Sequence, residues 1–146
     1  MKYKQNEEAP FMVRETETAG LQNPGSWVAR IRAGLPTAEF DALREMLGLP
    51  VEAMARKVGI SVATLSRRRA RRQPLDPAQS DRLMRYARLF WLAADFFDGD
   101  EGAARDWLKH PARALGGECP LDFAETEMGA REVEDLIGRL EYGVYV

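Results

Sequence analysis

Apolar residues recur every three or four positions along most of this chain, and no segment alternates convincingly between apolar and polar. The pattern predicts an all-α fold of short helices. The first covers Trp27, Val28 and Ile31, with Ser26 placed to cap it and Gly34 at its end. Thr37 is placed to cap the second, which carries Phe40, Leu43 and Leu47 on one face and stops at Gly48. Pro50 opens a pair of shorter helices. Asp76 and Pro77 then begin a long helix to about Phe97, whose apolar side holds Leu83, Tyr86, Ala87, Phe90, Ala94, Phe97 and, in part, Leu92. Asp100 caps another, containing Ala103, Ala104, Trp107 and Leu108. A loop from His110 to Pro120 leads to a last helix, from about Met128 to Glu141, with Val133, Leu136, Ile137 and Leu140 at helical spacing. Gly143 stops it, leaving the tail Val144–Val146. Residues 1–25 are polar and broken by Pro10, Gly20, Pro24 and Gly25; Phe11, Met12 and Val13 are a candidate docking patch or short strand.

The pair of helices from Val51 to Arg72 has helix-turn-helix spacing. Met54, Ala55 and Val58 form the inner face of its first helix, and the small Ala55 allows a close crossing. Gly59 falls at the turn, where a positive φ is needed. Ile60 plugs the corner, Leu65 anchors the second helix and Ser61 is placed to cap it. Arg68 departs from the pattern: an apolar residue usually closes the unit there, so its aliphatic stem is expected to pack while the charge reaches out.

Charge makes this unit a candidate DNA-binding element. The second helix ends in Arg67, Arg68, Arg69, Arg71 and Arg72, with no acid between Ser61 and Pro74. A solvated surface helix normally mixes signs; this one offers guanidinium groups that can hold phosphates or read guanine edges. The whole chain has a formal net charge of −2, which hides a strong asymmetry. Residues 51–90 carry 10 basic and 3 acidic side chains, and residues 91–146 carry 5 basic and 13 acidic. The middle suits an anion such as DNA, whereas the last third would be repelled by it and is expected to face another partner. The candidate DNA-binding residues are Ser61, Ser66, Arg67, Arg68, Arg69, Arg71 and Arg72, with Ser61, Ser66 and Arg67 nearest the bases or adjacent phosphates.

The remaining chemistry is sparse. One cysteine, Cys119, excludes an internal disulfide framework and fits a reducing compartment. No apolar run approaches the ~20 residues of a membrane span, and the N-terminus shows no signal-peptide core, so the expectation is cytoplasmic. His110, the only histidine, lies at a helix end, where it complements the helix dipole more often than it performs catalysis. One His and one Cys do not build a common zinc site, and Gly116-Gly117 has no following lysine to make a phosphate loop. No catalytic residue, metal or cofactor is expected, and the chain does not read as an enzyme. The apolar residues on more than one side of the long helix, Phe90, Trp91, Phe96 and Phe97, predict a homodimer.

A family resemblance rests on the last third. Trp107-Leu108 with Pro111, Ala114-Leu115-Gly116-Gly117, Pro120-Leu121, Thr126, Gly129-Ala130, Val133 and Gly138-Arg139-Leu140-Glu141-Tyr142-Gly143-Val144-Tyr145 together resemble the toxin-binding domain of the Xre/MbcA/ParS antitoxins. Upstream, Leu65-Ser66-Arg67-Arg68-Arg69 and Ser80-Asp81-Arg82-Leu83 also fit, so the resemblance covers roughly residues 35–146. Cys119 departs from it, standing where a polar residue is more usual. The resemblance implies the antitoxin of a type II toxin–antitoxin pair. Its implied partners are a RES-domain toxin that consumes NAD and the promoter DNA of its own operon, bound as a dimer. It also implies that the C-terminal domain covers the toxin's active site. The expected division is an N-terminal extension (1–25), a helix-turn-helix and dimerisation region (26–98) and a toxin-binding domain (99–146). Arg139, Glu141, Tyr142, Gly143, Val144, Tyr145 and Val146 are the candidate toxin-binding residues; the alternative for each is that it merely ends and packs the last helix. The alternative function is a stand-alone transcriptional regulator with a ligand- or protein-sensing C-terminal domain.

Overall fold

The structure, a computed structural model, describes residues 24–143. The Phe11–Val13 patch and the tail Val144–Val146 lie outside them. Among the described residues there are eight α-helices and no strand: α1 (Pro24–Ala33), α2 (Thr37–Leu47), α3 (Val51–Val58), α4 (Val62–Arg71), α5 (Pro77–Phe96), α6 (Glu101–Lys109), α7 (Pro120–Phe123) and α8 (Glu127–Glu141). The all-α expectation therefore holds. The chain forms two compact units that divide between Ala87 and Arg88, within α5.

The first unit packs α2, α3, α4 and the start of α5 around Phe40, Leu43, Met54, Val58, Leu65 and Tyr86, all buried. Gly48 ends α2 at φ +66, with its N–H bonded to the carbonyls of Arg44 and Glu45. Asp76 caps α5 through Oδ1, which accepts from Gln79 N–H at 2.7 Å, as the Asp76-Pro77 pair predicts. Two caps fall differently from expectation. Helix α1 already begins at Pro24, so Ser26 lies in its first turn instead of capping it. Thr37 is the first helical residue of α2, and the extended Pro36 precedes it without a side-chain cap. The turn before α2 is held from elsewhere: Ser80 Oγ accepts the Leu35 N–H at 2.8 Å, and Leu35 O accepts the Leu75 N–H at 2.9 Å. Gly34, at φ +96, sits so close to this clasp that a side chain there would overlap the carbonyl of Leu75.

The second unit holds the end of α5 with α6, α7 and α8, around Leu89, Phe90, Leu108, Leu121, Val133 and Leu136. Asp100 caps α6, accepting from Ala103 N–H at 3.0 Å, and Thr126 caps α8, accepting from Gly129 N–H at 2.9 Å. Arg88 grips Glu134 with Nε at 2.9 Å and Nη2 at 2.6 Å, tying α5 to α8. The stretch from His110 to Pro120, read as a loop, is more ordered than its sequence suggests. It contains a 3-10 turn at Arg113–Leu115 with Leu115 buried, and Ala112 and Glu118 close it by a backbone hydrogen bond of 3.0 Å. Pro120 then starts α7, a single turn that buries Leu121. Gly129 makes the tightest approach in this unit. A Cβ there would overlap the Phe123 carbonyl oxygen, so the first turn of α8 lies directly against the end of α7.

Candidate functional site

In the first unit, α3 and α4 form the helix-turn-helix that the spacing predicts. Gly59 takes φ +85 at the turn, and Ile60 is buried behind it. Ser61 caps α4: its Oγ accepts from Thr64 N–H at 3.0 Å. Of the ten residues of α4, only Leu65 is fully buried, while Thr64 and Arg68 are half-buried. The rest of the helix faces solvent, which is the requirement for a helix that enters a groove.

The structure separates the five arginines by how far each is committed inside the chain. Arg68 points inward: Nη1 donates to Pro74 O and to Gln79 Oε1, both at 3.1 Å. Its charge does not reach out, contrary to expectation, because the carbonyl and amide oxygens at the start of α5 give the guanidinium a nearer partner than solvent. Gln79 also caps back to Asp76 N–H at 3.0 Å, so Arg68 completes a small polar lock between α4 and α5. Arg69 pairs with Asp41 of α2 at 2.7 Å, with both side chains about two-fifths exposed. Such a surface pair is worth at most ~1 kcal/mol and exchanges readily for a phosphate. Arg67 touches only Thr64 Oγ1 within α4, at 3.3 Å. Arg71 and Arg72 are exposed and have no partner among the described residues. Ser61 and Ser66 are exposed as well, on the side where Val62, Ala63 and Ala70 also lie open. Val62, 40 % exposed, was not singled out by sequence reasoning. The available signal was a β-branched residue just after the cap that belongs to no apolar face; it suits contact with a thymine methyl group. Arg56 on α3 is likewise exposed, where the first helix of such a unit crosses the DNA backbone.

In the second unit, the end of α8 gathers the other candidate residues. Gly143, at φ +77, stops the helix, and its N–H bonds Leu140 O at 3.1 Å. Glu141 and Gly143 are exposed, and Tyr142 is 86 % exposed, an unusual setting for so large a ring. Arg139 is half-buried, with Nε shielded from water and without a hydrogen bond among the described residues. Gly138, one position before it, has no described residue within 4 Å of where a Cβ would stand. Val144, Tyr145 and Val146 lie outside the described residues. His110 closes α6, and its Nδ1 lies 2.7 Å from Asp106 O, the helix-end role expected of it. Of the aromatic residues invoked for a homodimer, Phe90 is fully buried in the core of the second unit and offers no surface, whereas Trp91, Phe96 and Phe97 are half-buried, and Phe96 and Phe97 meet edge to face at 4.9 Å between centroids. Among the described residues, no group of His, Cys, Asp and Glu is placed to hold a metal, and no helix is long and apolar enough to cross a membrane.

These features define a class: a helix-turn-helix unit with an exposed basic helix, followed by a separate acidic helical unit. Known proteins give the class its family. Residues 26–88 match the antitoxin Xre-like helix-turn-helix domain, and residues 92–143 match the antitoxin Xre/MbcA/ParS C-terminal toxin-binding domain. The chain is 38 % identical over 118 residues to Antitoxin Xre of Yersinia enterocolitica, covering 81 % of this chain and 80 % of that one. It is 34 % identical over 116 residues to Antitoxin Xre of Photorhabdus laumondii, covering 80 % and 78 %. It is 24 % identical over 132 residues to the Prs ADP-ribosylating antitoxin of Sphingobium sp., covering 84 % and 82 %. The chain belongs to the Xre/MbcA/ParS family of antitoxins.

Proposed function

We propose that this antitoxin neutralises a RES-domain, NAD-consuming toxin by covering its active site, and that it represses its own operon as a homodimer on promoter DNA. The observation that carries the reading is the pairing of opposite surfaces on one chain. One unit presents an exposed basic helix, and the other is strongly acidic and matches a toxin-binding domain. A single helix-turn-helix reads few base pairs, and a two-fold dimer gains specificity by reading half-sites ~34 Å apart. The half-buried aromatic residues of α5 are the candidate dimer contacts. An acidic unit suits a site built to receive an anionic dinucleotide, since such a site presents basic groups. The name of the Sphingobium relative, which mentions ADP-ribosylation, sits well with a toxin that uses NAD.

The arginines are expected to divide by role. Arg67, exposed early on α4, is the base-reading candidate, and Arg67→Ala should cost ~1–3 kcal/mol and relax sequence preference. Arg71 and Arg72 are phosphate-holding candidates. Arg72→Ala should weaken all sequences alike and flatten the salt slope by about 1. Arg68→Ala should instead lower the unfolding midpoint, since its guanidinium is bonded within the unit. Binding titrations on operator and scrambled DNA at several salt concentrations check this; equal loss of specificity from Arg67→Ala and Arg72→Ala would refute the division.

Neutralisation is assigned to the end of α8 and the tail: Arg139, Glu141, Tyr142 and residues 143–146. Gly143 breaks the helix, and the exposed Tyr142 ring is the kind of side chain that anchors an interface at small entropy cost. Deleting residues 142–146 should leave helicity, dimerisation and operator binding intact, yet abolish protection of cells that express the toxin. Protection by the truncated protein would place the neutralising surface elsewhere.

A further inference from the structure

The contact of α7 with α8 leaves a groove beside it. Gly129 lets the first turn of α8 lie against the Phe123 carbonyl, and an open cavity of about 470 Å³ forms between this crossing and Glu118. Phe123 and Met128 supply its apolar wall, and Met128 is 75 % exposed. A methionine left so open beside a half-buried phenylalanine is an adaptable apolar surface without cover among the described residues. The rim is acidic, made by Glu118, Asp122, Glu125 and Glu132. Carboxylates in the first turn of a helix are ordinarily explained by the helix dipole. That explanation covers Glu127, which pairs with Arg131, but not the rim as a whole. Glu132 lies beyond the first turn of α8, and Glu118 comes from the segment before α7. Asp122 and Glu125 have partners within the chain, whereas the carboxylates of Glu118 and Glu132 have none among the described residues. Two uncommitted carboxylates across an apolar wall fit a long cationic side chain, with its methylene stem on Met128 and Phe123 and its charge between the acids.

We infer that this groove is a second toxin-docking point, which receives an arginine- or lysine-bearing apolar segment of the toxin. The inference rests on the antitoxin reading above and adds to the α8 tail a site at the opposite end of the same helix, about 21 Å away for a 14-residue rise. Two anchors so far apart on one rigid helix fix orientation as well as affinity, and the charge at the groove accelerates encounter. The occupant is taken to be the toxin because the match to a toxin-binding domain, over residues 92–143, spans the groove.

The test uses the full-length chain and a purified RES-domain toxin against which it protects cells, with titration calorimetry at low and high salt. Glu118→Gln with Glu132→Gln is expected to weaken binding ~10-fold or more and to reduce its salt dependence; Met128→Ala alone is expected to cost ~10-fold. All three positions are exposed, so the unfolding midpoint should stay at the wild-type value. Variants that bind like wild type, with the same salt slope, would overturn the groove while leaving the antitoxin reading intact. Failure of the wild-type protein to bind would overturn both. A change in the sedimentation of the variants alone, without toxin, would assign the groove to a second copy of this chain and overturn the toxin assignment.

Discussion

Gly129→Ala is expected to unfold the C-terminal unit or reduce its stability by ~3 kcal/mol or more, and with it the affinity for toxin. Ordinarily alanine improves a helix by ~1 kcal/mol over glycine. Here the added methyl group would overlap the carbonyl oxygen of Phe123 and stand 2.9 Å from its carbonyl carbon. Both are backbone atoms at the end of α7, so no rotamer change relieves the clash. The two helices must separate, which disturbs the burial of Leu121 and Ala130 on either side. Gly138 in the same helix supplies the internal comparison. Among the described residues nothing stands within 4 Å of a Cβ there, so Gly138→Ala should stabilise the isolated protein by ~0.5–1 kcal/mol. Urea unfolding of the two variants decides the matter; a Gly129→Ala protein as stable as wild type would show that the α7–α8 contact is not tight.

The other large effect belongs to the DNA-binding unit. Leu65→Ala should cost ~2–5 kcal/mol, the usual range for emptying a buried leucine site, and abolish operator binding. The reason is the economy of α4, where Leu65 is the one residue fully buried and Arg68 the main further tie. Once Leu65 is truncated, the polar lock between Arg68, Pro74 and Gln79 must hold the helix in place, and a few hydrogen bonds of ~1 kcal/mol net each do not replace a buried leucine. Thermal unfolding and operator titration check the effect, with toxin binding by the same sample as control. Loss of toxin binding too would show that the two units depend on each other for folding.

How much of this was legible in sequence depends on whether a signal is local. The caps at Ser61, Asp76 and Asp100 and the stops at Gly48 and Gly59 were readable, because cap chemistry is set within a few residues. Thr37 imitates a cap in sequence for a reason equally local: Pro36 already holds the extended cap conformation, so the helix starts at the threonine. Helix α7 was invisible to periodicity, since four residues give no repeat to detect. The inward turn of Arg68 needed tertiary knowledge, namely that Gln79 and the Pro74 carbonyl lie beside it. The acidic bias of the last third was plain in the sequence, but its concentration around Met128 emerged only once Glu118 and α8 were brought together.

Arg72 carries one further meaning. It follows α4 at φ +55, a left-handed conformation that costs a side-chain-bearing residue ~1–2 kcal/mol and glycine almost nothing. Its N–H still satisfies the end of the helix, and glycine would do so at least as well. Stability alone would therefore place glycine at this position. An arginine here retains a cation at the cost of strain, so the end of α4 is where the demands of folding and of an anionic partner pull in opposite directions.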